Sequence, residues 1–218
     1  MRKAVVLLSG GLDSTTALYW AKKKGWSPIA LSVRYGQRHS KELKAARRVA
    51  AAARAPLHEV TLDLPWLGGS SLTNARLRLP DLPLSKIGAG GVPSTYVPGR
   101  NTVFLALAAS LADAAGADAV VIGANALDYS GYPDCRPAFT RAFEKTARAG
   151  TRRTRLKVLA PLLHLDKAGI VRLAGAVGAP LALTWSCYAG RARPCGRCDS
   201  CKLRAKGFRE AGAADPAP

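Results

Sequence analysis

Acidic residues are scarce in this chain of 218: Asp and Glu total 14 against 33 Lys and Arg, a formal net charge of +19. The imbalance fits a phosphate-bearing partner, nucleotide or nucleic acid, or else a basic surface that is simply solvated. Long hydrophobic runs are also missing. The apolar stretch Ala4–Leu8 stops at Ser9-Gly10-Gly11 and then meets Asp13, short of the roughly 7–15 residues of a secretory core. The stretch Val103–Ala112 is broken by Asp113 and Asp118, far below the roughly 20 residues of a membrane span. The expectation is a cytoplasmic protein with no membrane partner. There is no internal repeat, and low complexity is confined to Ala213–Pro218, a tail expected to fray. With 48% apolar and 22% charged residues, wholesale disorder is excluded, and the length suits about one domain with an appendage.

Against these absences stands a regular alternation. Ala4–Leu8, Ile29–Val33, Leu57–Leu62, Ala119–Ile122 and Lys157–Leu159 read as strands, apolar at successive positions as strands covered on both faces are. Between them, Ser14–Lys24, Ser40–Arg54, Asn101–Ala115, Pro137–Ala149 and Asp166–Val177 read as helices, four of them ended by Gly25, Gly116, Gly150 and Gly178 and the other followed by Pro56. The pattern predicts an α/β fold with a doubly wound, five-stranded, mostly parallel sheet. The division expected is an α/β nucleotide-binding unit over residues 1–180, a zinc-binding C-terminal extension over 181–212 and a tail over 213–218. Residues 63–100 have no period and are expected to form a loop covering a substrate.

Two segments carry chemistry on their own terms. Strand one runs into Ser9-Gly10-Gly11-Leu12-Asp13-Ser14 and then a helix. Glycines that let the backbone turn, the hydroxyls of Ser9, Ser14 and Thr15, and the free N–H groups of a first helical turn make an anion site. It has neither the lysine of a G-x-x-x-x-G-K-[ST] loop nor a G-x-G-x-x-G pattern. Asp13, negative beside phosphates, makes sense if it helps to hold Mg²⁺. The second segment is Cys187, Cys195, Cys198 and Cys201, spaced C-x7-C-x2-C-x2-C. Four thiolates so spaced suit one closed, structural Zn²⁺ per chain, with an iron–sulfur cluster as the rival.

The hexapeptide Ser9–Ser14 resembles the pyrophosphate loop of the N-type ATP pyrophosphatase superfamily. Five further segments narrow the likeness: Tyr35-Gly36-Gln37-Arg38-His39, Tyr96–Asn101, Gly123–Arg136, Thr184–Tyr188 and Cys195–Cys201. Together they resemble the 7-cyano-7-deazaguanine synthase family of queuosine biosynthesis, over essentially the whole chain. The resemblance implies a Rossmann-like, adenine-nucleotide-hydrolase-like domain. It also implies an ATP-dependent ligase converting 7-carboxy-7-deazaguanine and ammonia to the 7-nitrile through an adenylated carboxylate and an adenylated amide, without need of nucleic acid, and as a homodimer.

Carried onto this sequence, it assigns ATP with Mg²⁺ to Leu8, Ser9, Gly10, Gly11, Leu12, Asp13, Ser14, Thr15, Thr16, Ala17 and Leu18. It assigns catalysis to Asp13, Ser14, Arg38 and His39, and substrate to Tyr35, Gln37, Arg100, Asn101, Asn125, Asp128, Tyr129, Asp134, Cys135 and Arg136. Asp128, Tyr129, Asp134 and Arg136 are expected to read the flat base and its carboxylate. His39 suits a proton relay or a hydrogen bond at a helix start, His164 a structural place, and Cys135 pocket lining or sulfur carriage. Two other readings stand beside this one: a tRNA-modifying pyrophosphatase of the same superfamily, and a zinc-bearing nucleic-acid module without catalysis.

Overall fold

The structure, a computed structural model, describes residues 2–126 and 131–216. Five strands form one parallel sheet: β1 (Lys3–Leu7), β2 (Ser27–Arg34), β3 (Leu57–Thr61), β4 (Ala119–Val121) and β5 (Lys157–Leu159), in the order β3-β2-β1-β4-β5. Register is set by pairs such as Val6↔Ala30, Val6↔Val121, Val33↔Val60 and Val120↔Val158. The central strands carry runs of consecutive apolar residues, Ala4–Leu7 in β1 and Ala119–Val121 in β4, because successive side chains enter different cores. Ala4, Val6, Leu8, Ala30 and Val121 face one layer of helices, and Val5, Leu7, Leu31, Val33 and Val120 face the other.

The first layer holds α1 (Leu12–Lys23), α2 (Lys41–Ala53), α5 (Lys167–Ala176) and α6 (Asp199–Glu210); the second holds α3 (Arg100–Ala115) and α4 (Pro137–Gly150). Helix stops follow local chemistry. The residue after α2, Arg54, turns left-handed at φ 53°, and Gly116 does the same after α3 at φ 67°. Asp166 caps α5, its carboxylate accepting from Gly169 N–H at 2.7 Å.

One element goes beyond the sequence reading. Helix α6 lies in the segment read only as a metal-binding extension. Of its buried positions Asp199, Cys201, Arg204, Gly207 and Phe208, only Cys201 and Phe208 are hydrophobic side chains, so periodicity of hydrophobic residues does not reveal it. Leu181 and Phe208 enter the same core as α1 and α2.

Residues 63–100 are irregular but tied down. Ser71 N–H donates to Ser94 O at 2.8 Å, closing the base of the excursion, and the Arg38 guanidinium donates to the carbonyls of Ser71, Ala75 and Leu77. Further out, Leu82 N–H donates to the Asp199 carboxylate at 2.9 Å, and Asp81 pairs with Arg197 and Lys202. The loop is thereby clipped to the start of α6. The tail is also held at one point: Asp215 accepts from Arg204 at 2.8 and 2.9 Å, where fraying was expected.

Candidate active site

The strand order reverses direction between β1 and β4, so the loops leaving their carboxyl ends part to opposite sides and open a crevice. A cavity of about 270 Å³ lies there, lined by Leu8, Ser9, Gly11 and Asp13 after β1, Ser32 and Val33 from β2, Gly123 and Ala124 after β4, Arg100 and Phe104 of α3, and Trp185 and Arg204 beyond the sheet.

The loop after β1 is braced by itself. Ser14 Oγ lies 3.0 Å from Ser9 Oγ, and Ser9 N–H donates to Ser14 Oγ at 3.2 Å. No side chain caps α1, whose N-cap is Gly11, so first-turn N–H groups remain for a ligand. Gly10 is required on two counts: its φ is +87°, and a Cβ there would lie 2.4 Å from both Ala46 N and Glu42 O of α2. Gly123 likewise packs on the start of α1, where a Cβ would come within 3.1 Å of Ser14 N.

Asp13 stands at the mouth of this loop. Its Oδ2 accepts from Lys167 Nζ at 2.6 Å and from Asn125 Nδ2 at 3.1 Å, whereas its Oδ1 is buried with no partner among the described residues. An orphaned carboxylate oxygen in the uncapped first turn of α1 fits a cation such as Mg²⁺. The opposite wall is a cationic and aromatic cluster. Arg100 donates to Tyr35 Oη at 3.1 Å, and Tyr35 packs edge-on against Phe104. Burial works against the Arg100 charge, but Tyr35, Tyr132 and Asp134 around it outweigh that penalty. Beside them sits Glu42 of α2, whose carboxyl is pushed up to about 7 by burial, with Arg100 pulling partly the other way.

The assigned residues divide. Leu8, Ser9, Gly11, Leu12, Asp13, Ser14, Tyr35, Gln37, Arg38, His39, Arg100, Asn101 and Cys135 all line the cavity. Thr15 and Thr16 are fully buried and Ala17 and Leu18 belong to the core, so the ATP segment 8–18 meets the cavity only in its first half. Asp134 is buried and spends Oδ2 on Asn101 N–H at 2.8 Å, capping α3 rather than facing the cavity. Arg136 is exposed and outside the lining. Asn125 is fully buried and orients Asp13. Gln37 accepts from Tyr35 N–H at 2.8 Å, shaping the turn after β2. Asp128 and Tyr129 lie outside the described residues.

The structure also places the two side chains first read as catalytic beyond the loop. Arg38 is spent on the three loop carbonyls. His39 accepts from Lys41 N–H at 3.3 Å and is wedged where a Cβ on Gly190 would lie 2.4 Å from its Cγ. Burial lowers its pKa against the backbone carbonyls of Cys187 and Tyr188. His164 is exposed, and Cys135 is buried with Asn101 Nδ2 donating to its sulfur at 3.1 Å. Sequence reasoning missed Lys167, Glu42 and Arg204. Lys167 reads as an ordinary first-turn helix residue, and only the packing of α5 against α1 brings it to Asp13.

The four thiols Cys187, Cys195, Cys198 and Cys201 converge, every sulfur within 4.8 Å of the others. They can hold a metal ion. Cys195 and Cys201 sulfurs are 4.0 Å apart, close to the ~3.8 Å edge of a tetrahedron with Zn–S bonds of about 2.3 Å. Backbone N–H groups of Ala189 and Cys195 point at Cys187 Sγ, and that of Cys198 at Cys195 Sγ. Such donors stabilise negative sulfur. Cys198 is held down to about 5, chiefly by the hydrogen bond with Cys201, whose own thiol that bond pushes up.

A model of the family described as "Queuosine biosynthesis protein QueC" matches residues 3–212. The chain belongs to this family. The QueC match runs through the cysteine cluster and α6 as well as the sheet. A relative from Synechococcus elongatus named 7-cyano-7-deazaguanine synthase is 54% identical over 217 residues, spanning 97% of this chain and 93% of its own. One of the same name from Anaeromyxobacter dehalogenans is 53% identical over 221 residues, spanning 99% and 94%. Among solved structures, the NMN synthetase of Francisella tularensis shares the fold, with a TM-score of 0.53 at 15% identity over 98% of this chain and 78% of that one. No helix among the described residues is long and apolar enough to cross a membrane.

Proposed function

We propose that this chain converts 7-carboxy-7-deazaguanine and ammonia to 7-cyano-7-deazaguanine, using two molecules of ATP, as a cytoplasmic homodimer. The observation that carries this reading is the sharing of one cavity. The uncapped first turn of α1, the Asp13–Lys167 pair and the Arg100–Tyr35 cluster all open into it. An anion-binding helix end beside a cationic, aromatic wall suits a triphosphate meeting a planar acid.

Each half of the reaction turns an oxygen into a leaving group. The substrate carboxylate attacks the α-phosphate of ATP, the bond to pyrophosphate breaks, and the first-turn N–H groups of α1 and Lys167 take up the released charge. Asp13 Oδ1 would hold Mg²⁺, which neutralises phosphate charge. Ammonia displaces AMP to give the amide. In the second half the amide oxygen is adenylated, the nitrogen gives up its protons, AMP departs with the C–O electron pair, and the nitrile remains. The side chains around the cavity position and stabilise; none needs to be a covalent nucleophile. The four cysteines would hold structural Zn²⁺, pinning α6 and the segment before it to the sheet.

The test is mass spectrometry after incubating the protein with ATP, Mg²⁺, ammonium and 7-carboxy-7-deazaguanine. Nitrile appearing together with AMP is expected. AMP with accumulated amide keeps the first half and overturns the second. Neither product, from folded metal-replete protein, overturns the reading and directs the search to RNA substrates.

A further inference from the structure

Two carboxylates line the cavity among the described residues, Asp13 and Glu42. Asp13 gives Oδ2 to Lys167 and Asn125, and its buried Oδ1 is the oxygen proposed for Mg²⁺. Glu42 accepts no hydrogen bond and forms no ion pair among the described residues, although Arg100 is near enough for its charge to be felt. The other groups that could take up a proton are engaged: Tyr35 Oη by Arg100, and His39 by Lys41 N–H and by its packing against Gly190. Around Glu42 the cavity is strongly cationic, with Arg38, Arg100, Lys167 and Arg204 in its lining. With Asp13 given to Mg²⁺ on the function proposed above, a second small cation meets Glu42 as the remaining carboxylate among the described lining residues.

We infer that Glu42 is the ammonium-binding group of this site and the base that frees the attacking nitrogen. The inference rests on the amide-forming reaction proposed above. Ammonium has no lone pair and cannot attack an acyl adenylate, so a proton must leave first. Glu42 takes that proton; the nitrogen lone pair forms the N–C bond; the C–O bond to AMP breaks and AMP leaves with the electron pair. The second surplus proton on nitrogen passes to solvent. Position supports the role. Glu42 is in the first turn of α2, and its own carbonyl is packed under Gly10, which fixes it relative to the phosphate loop. Burial, which brings its carboxyl to about 7, matches a base that must accept and release a proton near neutral pH.

The experiment compares wild type with Glu42→Gln in three assays. The first is exchange of pyrophosphate into ATP driven by 7-carboxy-7-deazaguanine without ammonium, which reads adenylation alone. The second is amide formation from ammonium. The third is hydroxamate formation from hydroxylamine, a nucleophile already neutral at pH 7.5. For the variant we expect exchange within about twofold of wild type, hydroxamate within a few-fold, and amide formation lower by about 10²–10³-fold. Equal losses with ammonium and hydroxylamine overturn the inference, as does ammonium turnover near wild type or loss of exchange. If Glu42→Gln does not fold, Glu42→Asp serves, with a rise of about tenfold or more in the KM for ammonium expected and an unchanged KM overturning the role. Wild type without exchange instead defeats the adenylation reading itself, and this inference with it.

Discussion

Lys167 Nζ lies 2.6 Å from Asp13 Oδ2 across 154 residues of sequence, joining the first turn of α5 to the first turn of α1. Both side chains are largely buried, so the pair is worth more than a surface ion pair, and removing one partner leaves the other charge uncompensated. Lys167→Met is expected to lower pyrophosphate exchange by about 10²-fold or more and to reduce thermal stability by several degrees. Asp13→Ala should abolish exchange. Exchange near wild type in Lys167→Met would remove this pair from the chemistry.

Gly207 of α6 sets the position of Lys167. A Cβ at Gly207 would stand 2.7 Å from Lys167 Cβ and 3.0 Å from its carbonyl oxygen. Gly207→Ala therefore has to push α5 and α6 apart, an overpacking cost of about 1–3 kcal/mol, and should lower exchange as Lys167 shifts. Gly175→Ala, within α5 and open to space, is the control and should be neutral or stabilising by about 0.5–1 kcal/mol. Equal effects of the two substitutions would argue against the contact.

If the four cysteines hold a metal as proposed, the loop over residues 63–100 should loosen when that metal is removed. Asp199 opens α6 directly after Cys198 and holds Leu82 N–H, while Arg197 and Lys202 hold Asp81. Chelation, or Cys198→Ser, is expected to speed tryptic cleavage at Arg76, Arg78 and Lys86 severalfold and to lower Tm. Asp81→Asn should loosen the same loop while metal content stays at one equivalent. Unchanged cleavage after complete metal release would uncouple loop from cluster.

Glu42 also leaves a mark on stability. Its carboxyl titrates at about 7 when folded against an ordinary 4.5, so between those values the folded state holds more proton than the unfolded. Stability from this group is present at low pH and is lost as pH rises toward 7. Glu42→Gln lacks the titration. The Tm difference, variant minus wild type, should be near zero at pH 4.5, grow through pH 5–7 and level off above. A flat difference would mean that the carboxyl is not perturbed.

The sheet was legible because the signal is local. Runs such as Ala4–Leu8 are apolar at every position for a reason that acts residue by residue, and glycines such as Gly116 end helices by their own conformational freedom. The turn after β1 was legible for the same reason, since Ser9–Ser14 makes its hydrogen bonds within six residues. The cysteine cluster was legible by spacing. What could not be read depends on packing between distant segments. Lys167 is indistinguishable from the surface lysines in sequence, and Glu42 sits in an amphipathic helix rich in charge. Asp134 has the chemistry of a base-reading carboxylate, and only the fold shows it capping α3. Arg38 follows the same logic, its donors claimed by a loop whose path the sequence does not encode in any period.

The reach from Asp13 to Lys167 has a temporal side. During synthesis the phosphate loop emerges first, and its counter-ion follows 154 residues later, about 10–30 s at ordinary elongation rates. Gly207, which seats that lysine, comes later still. Until then Asp13 Oδ2 is without its lysine partner at the uncapped start of α1. A ribosome-bound fragment ending before α5 lacks this counter-charge, so on the function proposed above the site is completed only when the final helix docks.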